Sequence, residues 1–537
     1  MATDNIARAM AARAGKASKQ VSIDISEIRT DVANLKSTVD NSVIDALFRM
    51  PRTGAVYSVQ IPKFASNQTT VCTKIDDNAG LACEPSTDTV TGRDDYADIP
   101  LFRWYNCNYL RDEHGHAYPT AIEGIDDTYT TTGNVDVGVI QMTPYIKYDD
   151  SSEEYAILSI TDMPRDGYTL WCEAASNGVD YPYVIHSKYI SGVASDGKLR
   201  SIPGLKPARG QSYNNMITNY AKKGAGYFGA PEARNTWQIV FTLLKYAQKS
   251  SQKVFAGCTS YNLQYAASVQ RTDKDTYFPL TKTQAANILV GSYVSAGYGS
   301  NNNGAVNNDR GVSSIHKYAD DVRVLRIETI DDANSAVYLD VDAGFDTTPV
   351  ALTATLKASI TLSTMHWTSG TTDAVIGRHD GSVCSNTDGK HPYRVQGIEY
   401  AVGGYTVSSD TIMDFQSDYS KNVLVAPRDN KRTANAAEIK STYRKIGNIV
   451  GNGGNDFWIG DIAIDTQTGA TYPATVGSGD SVGTGDRVYG GGKNTSGTRE
   501  YLRGGNLGSG SNAGSSYLSC GRGPDGASWS YLVLEYK

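Results

Sequence analysis

The last 87 residues, Gly451 to Lys537, hold 21 of the chain's 53 glycines, yet they end in the apolar run Trp529–Tyr536 (WSYLVLEY). A disordered tail rarely finishes in such a run, because it has no core in which to bury it. The glycines are therefore read as long ordered loops carried between strands, closed by a last buried strand. From Met50-Pro51 onward the chain also reads as short strand-like runs separated by Asp, Asn, Gly and Thr. Val56–Ile61 (VYSVQI), Val135–Met142 (VDVGVIQM) and Tyr155–Ile160 (YAILSI) alternate or cluster as strands do. A β-rich unit over 49–195 follows, and Ser201–Pro207 (SIPGLKP) is a connector punctuated by Pro and Gly.

Helical spacing enters after the connector. Trp237, Val240, Phe241 and Leu244 fall at i, i+3, i+4 and i+7, one apolar helix face, with Asn235 or Thr236 as the cap. Tyr213–Ala221 and Lys282–Val290 read as shorter helices. Val322–Ile327, Ala336–Val341 and Val350–Leu362 read as strands.

Near the N-terminus, Val21, Ile25, Ile28, Val32, Leu35, Val39, Ser42 and Ala46 follow alternating steps of four and three. That spacing keeps one stripe toward a partner helix. Ile25, Val32 and Val39 occupy one seam position and Val21, Ile28 and Leu35 the other, and β-branched residues in both allow a trimer. The alternative is an amphipathic helix packed on its own domain. We read an oligomerising stalk over 21–48, preceded by an attachment tail over 1–20.

At 537 residues, two to four folded units are expected at about 100–200 residues each. A hydrophobic fraction of 40% excludes wholesale disorder. No apolar run approaches the roughly 18–20 residues of a bilayer span, and the first residues carry no signal-peptide core. A net charge of −7 speaks against a general nucleic-acid binder, which needs cations to displace counterions from phosphates. Tyr supplies 35 aromatics against 10 Phe and 6 Trp, which suits either contact surfaces or half-buried strands. The seven scattered cysteines form no C-x-x-C pair and read as buried thiols, with a Cys72–Cys83 bridge as the alternative.

Candidate chemistry is sparse. Arg111-Asp112-Glu113-His114-Gly115-His116 offers zinc-ligand types but also reads as a solvated turn, and no third ligand is identifiable. His379-Asp380-Gly381, followed by His391, has the same two readings. The doublets Asp94/Asp95, Asp126/Asp127 and Asp149/Asp150 would point to opposite faces of a strand, so none alone sets two carboxylates across a sugar. Neither a phosphate-binding G-x-x-x-x-G-K-[ST] loop nor a G-x-S-x-G elbow is present, and no β-helix repeat is visible.

Arg499–Lys537 resembles the end of the formylglycine-generating-enzyme type of C-type lectin fold. Arg503-Gly504-Gly505 matches its R-G-G, and Gly510-Ser511-Asn512-Ala513-Gly514 matches the G-S-N-A-G of bacteriophage members. Tyr393–Gly404 is similar to the family's R-[LV]-x-x-x-E-[WY]-A helix through Arg394, Val395, Glu399, Tyr400 and Ala401, and Phe457–Asp461 is loosely similar to the aromatic strand between the two motifs. The phage members are receptor-binding proteins diversified by retroelements, the group of the major tropism determinant. The likeness covers 200–537. The enzyme of this fold holds copper with a cysteine pair near its C-terminus; here only Cys520 lies in that region, so the resemblance implies the fold without that chemistry.

The expected architecture is α+β: a short N-terminal coiled-coil stalk, a β-rich middle domain over 49–195, and a C-type-lectin-like receptor-binding domain over 196–537 with long ordered Gly-rich loops. The expected contact residues lie in the terminal loops. Leu507, Ser509, Ser515, Tyr517 and Ser519 precede Arg522, Asp525, Ser528 and Trp529, a mixture of rigid aromatics and small polar groups such as antibody loops use. Tyr517, Trp529 and Tyr531 are also candidates for strand core. Trp529 and Tyr531 share a face; if it points inward, Ser528 and Ser530 are exposed.

The expected function is a homotrimeric virion fibre protein without enzymatic activity, metal or cofactor. It would meet other virion proteins through its N-terminus and a host cell-surface glycan or protein through the loops, on the virion surface, without touching nucleic acid or inserting into a membrane. The alternatives are a tailspike enzyme degrading host polysaccharide and a decoration protein without a receptor.

Overall fold

Asp40 starts the first described helix, α1 (Asn41–Phe48), by accepting a hydrogen bond from the Ser42 N–H at 2.7 Å. The computed structural model describes residues 39–426, 441–450, 455–489 and 496–536. Ile44 and Phe48, four apart on α1, are buried, and the Phe48 ring packs edge-on to Tyr105 at 6.2 Å and against Tyr183 at 5.9 Å.

This corrects the end of the expected stalk. Ser42 and Ala46, on the heptad stripe, are exposed, while Val39 is buried in the same chain's core with its N–H bonded to Pro119 O. The apolar face of α1 meets its own sheets, which leaves no seam for a partner helix there. Val21, Ile25, Ile28, Val32 and Leu35 lie outside the described residues.

The α+β expectation is corrected as well. Among the described residues strand dominates, 37% against 12% helix. The described helices are α1, α2 (Tyr213–Ala221), α3 (Glu232–Tyr246) and α4 (Lys282–Ala285). The last is one turn rather than the expected helix to Val290, closed by a capping box between Thr281 and Gln284.

Two antiparallel sheets form the first part of the chain. One runs in the order Thr73–Asp76, Val56–Pro62, Tyr155–Thr161, Tyr145–Asp149, Thr169–Leu170; the other runs Tyr183–Ser187, Val137–Met142, Trp104–Arg111, Ala117–Ile122. Their apolar sides join one cluster with Trp237, Val240, Phe241 and Leu244, the predicted stripe of α3. Trp237 meets Trp171 at 5.0 Å, and Phe241 meets Phe102 at 5.5 Å. The core of 49–195 is thus completed by a helix from beyond residue 195.

Residues 264–364 make a six-stranded antiparallel sheet with its own cluster, including Phe278, Val294, Val324, Val337 and Leu362. A nine-stranded sheet is built around the long strand Tyr405–Phe415, which pairs with Lys421–Val425 on one side and Gly497–Arg503 on the other. The terminal apolar run is two short strands. Tyr531–Leu532 runs parallel to Tyr405-Thr406, and Glu535–Tyr536 pairs with Phe228–Gly229 just before α3. Tyr531 and Val533 enter one cluster while Leu532 and Leu534 enter another, so both faces are covered.

Tyr393–Gly404, matched to a family helix, is a hairpin of Tyr393–Val395 and Ile398–Tyr400. Gln396 (φ 49°) and Gly397 (φ 76°) form the two-residue turn, both in the left-handed region as a type I′ turn requires. A Cβ on Gly397 would stand 2.7 Å from the Trp104 ring.

Candidate functional site

Strand Gly497–Arg503 delivers Arg503 into the middle of the molecule. Its Nε donates to Glu232 Oε1 at 2.8 Å, Nη1 to Ser516 O at 2.8 Å, and Nη2 to Thr471 O at 2.7 Å and Thr471 Oγ1 at 2.8 Å. Arg503 is 1% exposed. Both glycines of the R-G-G then serve the turn: Gly504 has φ 68°, and a Cβ on Gly505 would come within 2.5 Å of Ala513. The motif is an anchor under the terminal loop rather than a contact residue.

The same loop is held at further points. Gly510 N donates to Thr259 O at 2.7 Å, Ser515 N to Ser251 Oγ at 2.8 Å, and Ser516 N to Asp486 Oδ2 at 2.9 Å. Burial pushes the Asp486 carboxyl up to about 7 despite hydrogen bonds from Gln252 and Ser516.

This framework decides the fate of the expected contact residues. Leu507, Ser515, Tyr517 and Ser519 are buried. Leu507 belongs to the cluster of Trp367, Val402 and Leu532, and the Tyr517 ring stacks on Tyr405 at 5.9 Å. Ser519 lies in the short strand Leu518–Ser519. These four are corrected from contact surface to interior. Small polar side chains sit here because backbones pass closely and need hydrogen-bond partners, which composition alone does not distinguish from exposure.

Ser509, Ser528 and Trp529 are half-buried. The Ser528 hydroxyl lies 3.2 Å from that of Ser530, which is itself buried, and Trp529 packs between the Arg310 guanidinium at 4.9 Å and His366 at 5.4 Å. Arg522 and Asp525 are exposed, and Asp525 accepts a hydrogen bond from Asn214.

Accessible space lies instead on both sides of the loop Cys384–His391. On one side a cavity of about 480 Å³ is walled by Trp367, Thr368, Ser369 and Gly370, with Tyr293, Cys384 and His391. On the other a cavity of about 280 Å³ is bounded by Gln252, Lys253, Thr387 and Asp388 and by Gly510 and Ser511 of the terminal loop.

The hairpin positions the larger cavity. Glu399 accepts from Gly370 N at 3.2 Å, Thr372 N at 3.0 Å and Thr372 Oγ1 at 3.0 Å, which fixes that wall from behind. Burial pushes its carboxyl up to about 7. Arg394 donates through Nε to His379 O at 2.7 Å. Trp367 Nε1 donates to Lys390 O at 2.9 Å, tying the wall to the loop.

Within the loop, Asp388 Oδ2 lies 2.8 Å from His391 Nδ1, and His391 Nε2 lies 3.3 Å from Cys384 Sγ. Cys384 is exposed, unlike the buried thiol expected, and all seven cysteines are free, which removes the Cys72–Cys83 bridge. The sequence reading missed this set. Its available signal was the spacing Cys-x₃-Asp-x₂-His inside eight residues.

The other ionisable clusters are structural. Asp380 pairs with buried Lys245 at 2.8 Å, and Asp94 reaches the same lysine at 3.2 Å while its neighbour Asp95 bonds Arg93 outside. His116 is buried, stacked on Tyr181 at 3.4 Å, and Asp112 accepts from the N–H groups of His114 and His116 in a turn. Among the described residues, no group of three or more His, Cys, Asp or Glu is placed to hold a metal ion. No protein-family model matches the chain, and no curated protein is found to match it.

Proposed function

We propose that the chain is a virion receptor-binding protein that engages a bacterial surface glycan or protein through the face formed by the terminal loop and the Cys384–His391 loop. One observation carries this reading: Gly510 and Ser511 border an open polar cavity of about 280 Å³, while Arg503 pins their loop from beneath. A loop held at its base and polar at its rim presents a preorganised contact surface, which lowers the ordering cost of binding. The likeness of Arg499–Lys537 to phage receptor binders supports the virion context.

The test is binding of the labelled full chain to a panel of bacterial envelopes. Ser511→Trp and Thr387→Trp, both at exposed positions, fill the cavity mouth. Each should weaken binding about tenfold or more with an unchanged melt. Envelope binding indifferent to both substitutions overturns the assigned face. Absence of binding to any envelope favours the decoration reading, and release of reducing sugar favours a tailspike enzyme.

A further inference from the structure

We propose that Cys384, His391 and Asp388 form a nucleophilic site for acyl transfer, with a small carboxylic ester as substrate and its acyl group in the 480 Å³ cavity beside Trp367. The cavity lies within the usual range for small-molecule sites, about 300–1,000 Å³.

Three independent features of the geometry converge. The first is the tautomer. A carboxylate only accepts, so Asp388 at 2.8 Å requires the proton on His391 Nδ1 and leaves Nε2 unprotonated; Cys384 Sγ stands over the imidazole, 3.3 Å from Nε2 and 3.9 Å from Nδ1. Nucleophile, base and orienting carboxylate are thus in mutual contact, the set of groups that activates a weak nucleophile.

The second is preorganisation. His391 is 7% exposed and fixed against the Trp367 ring at 5.2 Å, while Asp388 is steadied by the Lys390 N–H at 2.8 Å. The third is access. Cys384 is exposed and borders the cavity, and its backbone has φ 50°, a left-handed conformation costly for a residue with a Cβ.

Protonation behaviour agrees with this assignment. Burial opposes charge on Asp388, yet the hydrogen bonds from His391 and the Lys390 N–H hold its carboxyl below the usual range. Burial and the Asp388 charge raise the Cys384 thiol, so the resting site holds a neutral thiol rather than a standing thiolate.

The step then runs as general-base attack. Cys384 Sγ bonds to the ester carbonyl carbon as its proton passes to His391 Nε2, and the imidazolium faces Asp388. Collapse of the tetrahedral adduct breaks the C–O bond, and the alkoxide leaves as an alcohol with the proton from Nε2. Water, deprotonated by the same nitrogen, attacks the thioester, releases the carboxylic acid and restores the thiol. Cys384 and His391 are the catalytic residues; Asp388 is a positioning residue.

The experiment uses the full chain and p-nitrophenyl acetate, with p-nitrophenolate release followed by rapid mixing and the acetyl adduct located by peptide mass mapping. One burst equivalent per chain on Cys384 is expected, and none from Cys384→Ala. His391→Ala should slow acylation roughly 100-fold, with partial rescue by added imidazole. Asp388→Asn should slow it about tenfold and Asp388→Glu should restore part, a pattern that a purely structural carboxylate does not produce. The Asp388 variants alter an exposed position and keep the test valid if His391→Ala fails to fold.

Acetylation of another residue, or of Cys384 at the rate of N-acetylcysteine regardless of His391, overturns the proposal. Envelope binding is read separately on the wild-type chain, so loss of the burst with binding retained overturns this proposal alone.

Discussion

Arg503 Nη2 and Glu232 Oε1 stand 2.7 Å apart in the centre of the protein, each side chain 1% exposed. Strand Gly497–Arg503 brings one charge and the first turn of α3 brings the other, so this pair joins the terminal loop to the helix that completes the core. Removing one partner leaves the other buried and uncompensated. Arg503→Met and Glu232→Gln should each destabilise by about 3–5 kcal/mol. In denaturant unfolding the double variant should lose less than the two singles combined.

Leu532 and Arg522 lie close in the sequence but face opposite environments. Leu532 is fully buried and Arg522 exposed. Leu532→Ala should cost about 2–5 kcal/mol through the cavity it leaves, whereas Arg522→Ala should stay within about 0.5 kcal/mol. Thermal melts of the two variants check this contrast.

The turn at Gln396-Gly397 is a third test. Gly397→Ala places a Cβ at positive φ and against the Trp104 ring, and should destabilise by about 2–4 kcal/mol. Gln396→Gly keeps the turn at the neighbouring positive φ of 49° but removes a buried amide bonded to Phe102 O at 2.9 Å and to Lys245 Nζ at 3.2 Å, so its cost reads those bonds and not backbone strain. Chemical denaturation with both variants separates backbone strain from the loss of those bonds.

Buried carboxylates set the expected pH dependence. Burial raises Glu399 and Asp486 to about 7 and Glu500 to about 8. Each therefore holds its proton more tightly folded than unfolded. Their contribution is fully present below about pH 4, the ordinary carboxylate range, and is lost as pH rises through 7–8. The melting temperature should be higher at pH 5 than at pH 8. Glu500 accepts from Tyr213 N at 2.8 Å through Oε1, a bond that an amide oxygen preserves, so Glu500→Gln should flatten the decline and recover roughly 1–3 kcal/mol at pH 8. Melts at the two pH values check both statements.

Local periodicity was legible without tertiary information. The stripe Trp237, Val240, Phe241 and Leu244 and the strands begun at Val56, Val137 and Tyr155 follow from repeats of 3.6 and 2 residues, which backbone geometry imposes wherever one face is buried. Burial of Leu532 and Leu534 followed likewise, because an apolar run of that length has to be covered.

Partners and competing local fits were decided only in three dimensions. Around α1, spacing alone could not separate a stripe facing another helix from one facing its own sheets; contact of Phe48 with Tyr105 and Tyr183 decided it. Arg394 and Glu399 matched a helical motif, but the two positive-φ residues between them turn the backbone into a hairpin. Ser515 and Ser519 had the composition of an exposed loop, and only the backbones packed around them show that they are interior. Cys384, Asp388 and His391 were visible as letters, whereas their mutual distances depend on a loop path held by Trp367 and Thr259. Sequence thus determined where local elements could form, because their periods are properties of the chain; tertiary structure determined what each faces, because burial and contact belong to segments far apart along it.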